Sequence, residues 1–515
     1  VCKNSIYFWL HSTVRSYLSK KRTKIFDLTF LNDKKRMEVK HLAPEIVWSI
    51  FDEITRVPRP SKKEGKIRAW LVNFAEQHHL ECHVDETGNV LMRKPATPGY
   101  EDHQTIVLQG HIDMVCEKNG DVEHDFENDP IETYIDGDWL KARGTTLGAD
   151  NGIGVALSLA ALTDDSYQHG PLEALFTYDE ETGMSGANAL KEGFMTGKTL
   201  INLDSEEENQ IFIGCAGGMD TLATFRYAQV PAPKEYYYAE ISVSSLLGGH
   251  SGGDIHLGHA NANKILTRFL LSQPNLVLAH IQGGNLRNAI AREASAVFGI
   301  PFNRKDNMMV DFNRFVADIE GEVGDIEHEM KLDIRTAEAP ESIIEPGVSD
   351  RLLMALQACP HGVVGMSRSM PGLVETSTNL ASVKMNEPGV IAVETSQRSS
   401  VESEKNDIAH TVETVFKLAG ADVCHRSSYP GWKPNTESPI MKVCHEAYVD
   451  LFKSDPEIMA IHAGLECGLF LTKYPEMDMV SIGPTMQNVH SPKEQLLIPS
   501  VARFWNFLRE ILSRC

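Results

Sequence analysis

No apolar stretch in the sequence approaches the ~20 residues that a membrane-spanning helix requires. The nine cysteines are scattered and include no C-x2-C pair, which excludes a disulfide scaffold and points to reduced thiols in a cytosolic compartment. Cys424-His425 and Cys444-His445 resemble zinc ligands only superficially, because adjacent side chains diverge and the spacing fits no finger. Basic charge is also short: 49 Lys and Arg stand against 71 Asp and Glu, a net −22. A chain this acidic is a poor binder of phosphate backbones and anionic membranes, so neither nucleic acid nor membrane is expected as a partner. There is no fixed-period repeat and no low-complexity tract, which excludes a solenoid. What remains is ordinary globular material, 42% hydrophobic and 23% charged over 515 residues. That length suggests roughly three domains, or two of which one carries a large insertion.

Residues 1–36 differ from the rest. They hold nine Lys and Arg against two Asp and Glu, a local +7 that leaves −29 on the remainder. The segment reads as an extension ahead of a start at Met37, with a basic, acid-poor targeting peptide as the alternative.

Beyond it, the periodicity predicts helical structure over Leu42–Phe74, broken at Pro58-Arg59-Pro60, and a helix around Lys66–His78. Two short strands are expected within Cys82–Arg93. Buried strands are expected at Thr105–Leu108, Leu172–Thr177 and Thr199–Leu203, and an apolar helix at Ile153–Leu162. Strands alternating with helices predict an α/β catalytic domain with a central, mostly parallel sheet flanked by helices. From about residue 217 to 410 the texture changes to an α+β unit, with an alternating stretch at Tyr238–Val243 and a long acidic helical segment near Asn313–Ala337. The α/β texture resumes in Ile440–Phe452, Glu457–His462 and Met479–Gly483. The expected division is therefore residues 37–216 and 411–515 for one domain, interrupted by an inserted unit at 217–410.

Five polar features lie in order along the chain: His111-Ile112-Asp113, Asp150, Asp179-Glu180-Glu181, Asp204 and His490. Most stand at or just past the end of an apolar run, where α/β sheets build their sites. Singly, each has a plain reading as a core histidine, a helix cap or a solvated acidic loop. On an extended segment His111 and Asp113 point to one side, the spacing of a metal-bound imidazole steadied by a carboxylate. Of the neighbours Glu180 and Glu181, one can ligate a metal while the other faces the open position as a base. Mixed His and carboxylate donors suit zinc or another divalent first-row metal. Three carboxylates close together would repel one another. Two Zn2+ and one hydroxide balance their charge, so the ligand set His111, Asp150, Glu181, Asp204 and His490 fits two ions better than one.

These residues, in this order, resemble the M20 family of co-catalytic zinc peptidases, and within it the aminoacyl-histidine dipeptidase branch. The resemblance rests on LQGHIDMV at 108–115, YIDGDWLKARGTTLGADNGIG at 134–154, DEETGMSGA at 179–187 and NLDSEEE at 202–208. It continues in GGHSGGDIH at 248–256, HAGLECGLF at 462–470 and PEMDMVSIGPT at 475–485. It implies a catalytic α/β domain split by an inserted lid, with hinges near Ala216-Gly217-Gly218 and around residues 400–412. It also implies two Zn2+ per chain, with Co2+ or Mn2+ as substitutes. His111, Asp150 and Asp204 would hold one ion, and Asp150, Glu181 and His490 the other. Asp113 would orient His111, and Glu180 would be the general base that activates a water between the ions.

In the lid, His250 and Asn288 would attend the reacting carbonyl, and Arg398 would grip the substrate's terminal carboxylate. Glu466 would meet the free amine. The implied activity is hydrolysis of dipeptides, Xaa-His above all, by a cytoplasmic homodimer joined through the lid. The pattern departs at Ala291, where relatives have Pro, across 303–348, and at Gln487-Asn488-Val489 before His490. A related dimetal aminoacylase, deacylase or carboxypeptidase-like amidohydrolase is the nearest alternative. A non-catalytic metal-binding scaffold is disfavoured, because the base and all five ligands are present. Nucleotide binding is disfavoured because Glu192 stands where the phosphate-loop pattern ending Gly197-Lys198-Thr199 requires glycine.

Overall fold

The computed structural model describes residues 38–515, so the reading of the basic N-terminal segment lies outside the described residues. An eight-stranded sheet forms the first core. Its centre is four parallel strands in the spatial order Leu172–Thr177, Ile106–His111, Thr199–Asn202 and Asp478–Ser481. The first three are buried along their whole length, which is why their sequences are mainly apolar and do not alternate. Antiparallel strands Glu81–Val84 and Val90–Lys94 extend one side. Gln210–Cys215 and Glu457–Ile461 extend the other. The helix Ala149–Thr163 is buried on nearly every face, and it shares a hydrophobic core with the helices Glu45–Ile54, Pro439–Phe452 and Ile498–Arg514.

A second core surrounds a nine-stranded antiparallel sheet. Its strands include Gly217–Arg226, Tyr236–Ser244, Val277–Gly283, Ala294–Pro301, Val374–Lys384 and Val390–Ser399. Two expectations change here. The helix expected near 313–337 runs over Lys305–Val323 and stops beside Gly321 and Gly324, and Lys331–Thr336 is an edge strand paired with Tyr236–Ser244. The alternation of Leu332 and Ile334 with Lys331, Asp333 and Arg335 carries that strand signal.

The return to the first sheet also comes later than residue 410. That position falls inside the helix Glu402–Leu418, and the strand after it, Asp422–Tyr429, pairs with Gly217–Arg226 in the second sheet. The two crossings lie side by side: Cys215 and Trp432 exchange backbone hydrogen bonds of 2.8 and 2.9 Å. The second crossing is therefore at residues 430–431 and not at 400–412. No described helix is long and apolar enough to cross a membrane.

A small four-stranded antiparallel sheet completes the first unit, in the order Met486–Gln487, Gln495–Leu497, Trp139–Ala142 and Thr133–Asp136. It brings the chain around residue 490 beside the loop that leads into Asp150.

Candidate metal centre

Three adjacent parallel strands end at the same edge of the first sheet, and each delivers acid or imidazole there. His111 is the last residue of its strand and lies level with Thr177 on one neighbour, while Gln109 lies level with Asn202 on the other. Glu180 and Glu181 follow the first neighbour, and Asp204 follows the second. Asp150 and His490 arrive on the loops that the small sheet places side by side. This is the crevice beyond strand carboxyl ends where α/β folds place ligands.

The five expected ligands converge. The His111 Nε2 lies 3.0 Å from Asp150 Oδ1 and 3.4 Å from Asp204 Oδ1. The His490 Nε2 lies 3.1 Å from Asp150 Oδ2 and 3.0 Å from Glu181 Oε2. Asp150 thus turns one oxygen to each imidazole. His111, Asp150 and Glu181 present ligand atoms all within 4.8 Å of one another. Glu181 Oε1 and Asp204 Oδ1 are buried without a hydrogen-bond partner. Buried carboxylate oxygens rarely stay unpaired, so this donor set suits divalent cations.

Asp113 does more than face His111, whose Nδ1 is 3.3 Å from its Oδ1. It also accepts from the Glu180 amide at 3.0 Å, from the Glu181 amide at 3.2 Å and from Ser61 Oγ at 2.8 Å. One buried carboxylate therefore fixes the imidazole and the start of the short helix that carries both glutamates. Asp179, just before them, takes a left-handed backbone at φ 53°. Bonds from Thr182 and Ser185 to its carboxylate hold that conformation.

The electrostatics follow from the crowding. Burial alone would lower His111, yet the Asp204 charge and the bonds to Asp113 and Asp150 hold its pKa well above the ordinary value. Bonds to Asp150 and Glu181 drive His490 up to about 11. Burial would raise Asp150, but the two imidazoles overcome that and hold it far below the carboxylate range. Burial pushes Asp204 up to about 6. Glu180 is raised well above the ordinary value by burial, with Asp204 and Glu466 adding to it against the opposing His111 charge.

Glu466 lies in the floor of the same crevice. Its Oε2 accepts from Gln109 Nε2 at 2.6 Å and Thr177 Oγ1 at 2.7 Å, while Oε1 is buried without a partner. Burial raises its pKa to about 7.

The other expected residues lie in the second unit, Arg398 on the strand Val390–Ser399 and His250 and Asn288 on loops beside its sheet. The Nδ1 of His250 accepts from the Gly252 and Gly253 amides at 3.2 and 3.0 Å, so the ring proton sits on Nε2, available to donate. Burial and the Arg398 charge lower its pKa, which keeps the ring neutral. Exposed Asn288 adjoins it, its carbonyl accepting from the Ser251 amide at 2.8 Å. Arg398 is 7% exposed and donates to Tyr429 Oη at 3.2 Å, with its Nε unpaired. Among the described residues no hydrogen bond or ion pair joins this group to the five converging ligands.

The sequence assigns no role to several further residues of the site, among them His462, although it opens the HAGLECGLF stretch. His462 Nε2 lies 2.7 Å from Ser377 Oγ on the second sheet, four residues before Glu466 in the crevice floor, so the HAGLE stretch reaches both units. Tyr429 needs Gly218: a Cβ there would lie 2.5 Å from its ring. Arg59 passes in the sequence for part of a helix break, and Glu494 is given no role. Both are buried, and both bond the backbone that carries the ligands.

Comparison with known proteins agrees with this architecture. The model of peptidase family M20/M25/M40 matches residues 107–514. The cytosol non-specific dipeptidase of Escherichia coli is 42% identical over 478 residues, covering 92% of this chain and 98% of that protein. The crystal structure of aminoacylhistidine dipeptidase from Vibrio alginolyticus is also 42% identical, superposes with a TM-score of 0.86, and is covered over 98% of its length by 93% of this chain. Aminopeptidase PepT from Bacillus cereus, 16% identical with a TM-score of 0.54 over 92% of this chain and 98% of its own, shares the fold. The family model takes in all five converging residues, and the chain belongs to peptidase family M20/M25/M40.

Proposed function

We propose that this protein is a dimetal dipeptidase that hydrolyses short peptides, Xaa-His dipeptides foremost. The observation that carries the reading is the Asp150 carboxylate, whose two oxygens face His111 and His490 separately. The unpartnered oxygens of Glu181 and Asp204 beside it complete two ligand sets that share one residue. His111, Asp150 and Asp204 would hold one Zn2+, and Asp150, Glu181 and His490 the second. The bound ions would polarise the peptide carbonyl and acidify a water toward pKa ~7.

The chain's own groups do the rest. Glu180 takes the proton from the attacking water and returns it to the leaving amine. Asp113 keeps the His111 ring in place. The Nε2–H of His250 donates to the carbonyl oxygen as that oxygen becomes negative, with Asn288 beside it. The unpaired Oε1 of Glu466 is the acceptor for the substrate's free amine. Arg398 binds the terminal carboxylate, which selects peptides by length. The second unit acts as a lid whose closure brings His250 and Arg398 to the crevice and excludes water. The similarity to a cytosol dipeptidase supports a cytoplasmic enzyme, and we assign it as a homodimer joined through the lid.

The test is metal content measured together with rates on Xaa-His dipeptides, other dipeptides and N-acyl amino acids, before and after a chelator. Two equivalents of Zn2+, chelator-sensitive turnover and preference for dipeptides are expected. Preference for N-acyl amino acids would replace the dipeptidase reading with an aminoacylase one. Turnover untouched by complete metal removal would overturn the mechanism. Arg398→Lys should raise KM for dipeptides by about 10–100-fold with little change in kcat, because a lysine cannot grip a carboxylate with two parallel bonds. An unchanged KM removes Arg398 from substrate binding.

A further inference from the structure

Two buried charged side chains outside the ligand set grip the backbone on which the ligands stand. Arg59 is 2% exposed, and Glu494 is 3% exposed. The Arg59 guanidinium donates from Nη1 to the carbonyls of Ile112 at 3.2 Å and Asp113 at 2.6 Å, and from Nη2 to the carbonyl of Gly148. It thereby ties the segment after His111 to the loop before Asp150.

The carboxylate of Glu494 receives four consecutive amides of that loop: Leu147 at 2.7 Å, Gly148 at 3.0 Å, Ala149 at 2.7 Å and Asp150 at 3.3 Å. Glu494 stands four residues after His490 and immediately before the strand Gln495–Leu497, which pairs with Trp139–Ala142. It thus docks the His490 loop onto the Asp150 loop.

The surrounding sequence makes room for this arrangement. Gly148 has φ +68°, and a Cβ there would lie 2.6 Å from Arg59 Nη2 and 2.8 Å from Met114 Sδ. A Cβ at Gly152 would lie 2.7 Å from the same nitrogen. Two buried opposite charges that spend all these bonds on backbone, and none on each other, cost desolvation that a purely structural contact could avoid with apolar residues. Their common effect is to fix where the Asp150 main chain sits relative to His111 and His490.

We propose that Arg59 and Glu494 are positioning residues that form a clamp setting the spacing of the two cations. The proposal rests on the dimetal reading above. A carboxylate that serves one ion can swing to meet it. A carboxylate that serves two must hold Oδ1 and Oδ2 in fixed directions, so binding of the second ion depends most on the clamp. Outer contacts that orient metal ligands are worth about 10–100-fold in metal affinity. In Glu494→Gln the side chain keeps its shape, but an NH2 group replaces one oxygen and meets backbone N–H donors head on.

The experiment is a titration of the chelator-stripped full-length protein with Zn2+ against a competing fluorescent chelator. Wild type should take up two ions. Glu494→Gln should bind the first within about threefold of wild type and the second about 10–100-fold more weakly. If Glu494→Gln does not fold, Arg59→Lys is read in its place with the same expectation, since lysine keeps the charge but loses the fork that joins the carbonyls of Asp113 and Gly148. Unchanged constants in the folded variant, or equal weakening of both steps, overturn the clamp. A wild-type protein that binds no Zn2+ overturns the metal reading instead, so the two failures are distinct.

Discussion

Glu180→Ala is expected to lower kcat by about 10²–10⁴-fold while the protein keeps its full complement of metal. Two observations separate Glu180 from its neighbour. Glu181 places Oε2 3.0 Å from the His490 ring, in the ligand cluster. No hydrogen bond or ion pair engages the Glu180 side chain among the described residues, and burial raises its pKa well above the carboxylate range. A half-buried carboxyl one residue from Glu181, with its amide fixed on Asp113, is placed to shuttle a proton and not to bind an ion. The measurement is kcat on a dipeptide together with metal content of the same preparation. Normal turnover in the variant removes Glu180 as the base. Loss of metal would make it a ligand.

Asp150→Ala should act on the metal itself. Its carboxylate meets both imidazoles, so its removal strips one donor from each set and leaves His111 and His490 without the charge that draws them together. Metal content should fall to one equivalent or less. Turnover should drop by at least about 10³-fold, because the acidification of water from pKa ~15.7 to ~7 depends on the bound cation. Full retention of two ions would refute the shared position of Asp150. Together the two variants split the site into chemistry and metal binding: one loses rate with metal in place, the other loses both.

Much of the site was legible because His111, Glu180, Glu181 and Asp204 sit at or just past strand ends, and strand ends are visible as abrupt stops of apolar runs. Ile106–His111 and Leu172–Thr177 are buried throughout, so their sequences are mainly apolar, and a polar group inside them needs a partner, as Glu173 has in Arg93. The spacing of His111 and Asp113, and the adjacency of Glu180 and Glu181, are local features that any extended segment or helix start preserves. Elsewhere local pattern misled. The segment after Val323 continues the acidic character of the helix before it, yet it is an edge strand, because two glycines end the helix and the alternation beyond them pairs with Tyr236–Ser244. The crossing at residues 430–431 was hidden because the helix Glu402–Leu418 has the same amphipathic texture whichever sheet it packs on.

The sequence by itself determined which residues emerge at the crevice, in what order, and with what local neighbours, because burial of a continuous strand dictates its composition one residue at a time. Only the tertiary structure decided that Asp150 divides its two oxygens between imidazoles 39 residues before it and 340 residues after it. It alone showed that Arg59 and Glu494 bond the backbone of the loops around His111 and Asp150. The reason is physical. A hydrogen bond across hundreds of residues depends on how layers pack, and packing leaves no periodic trace in the segments that it joins.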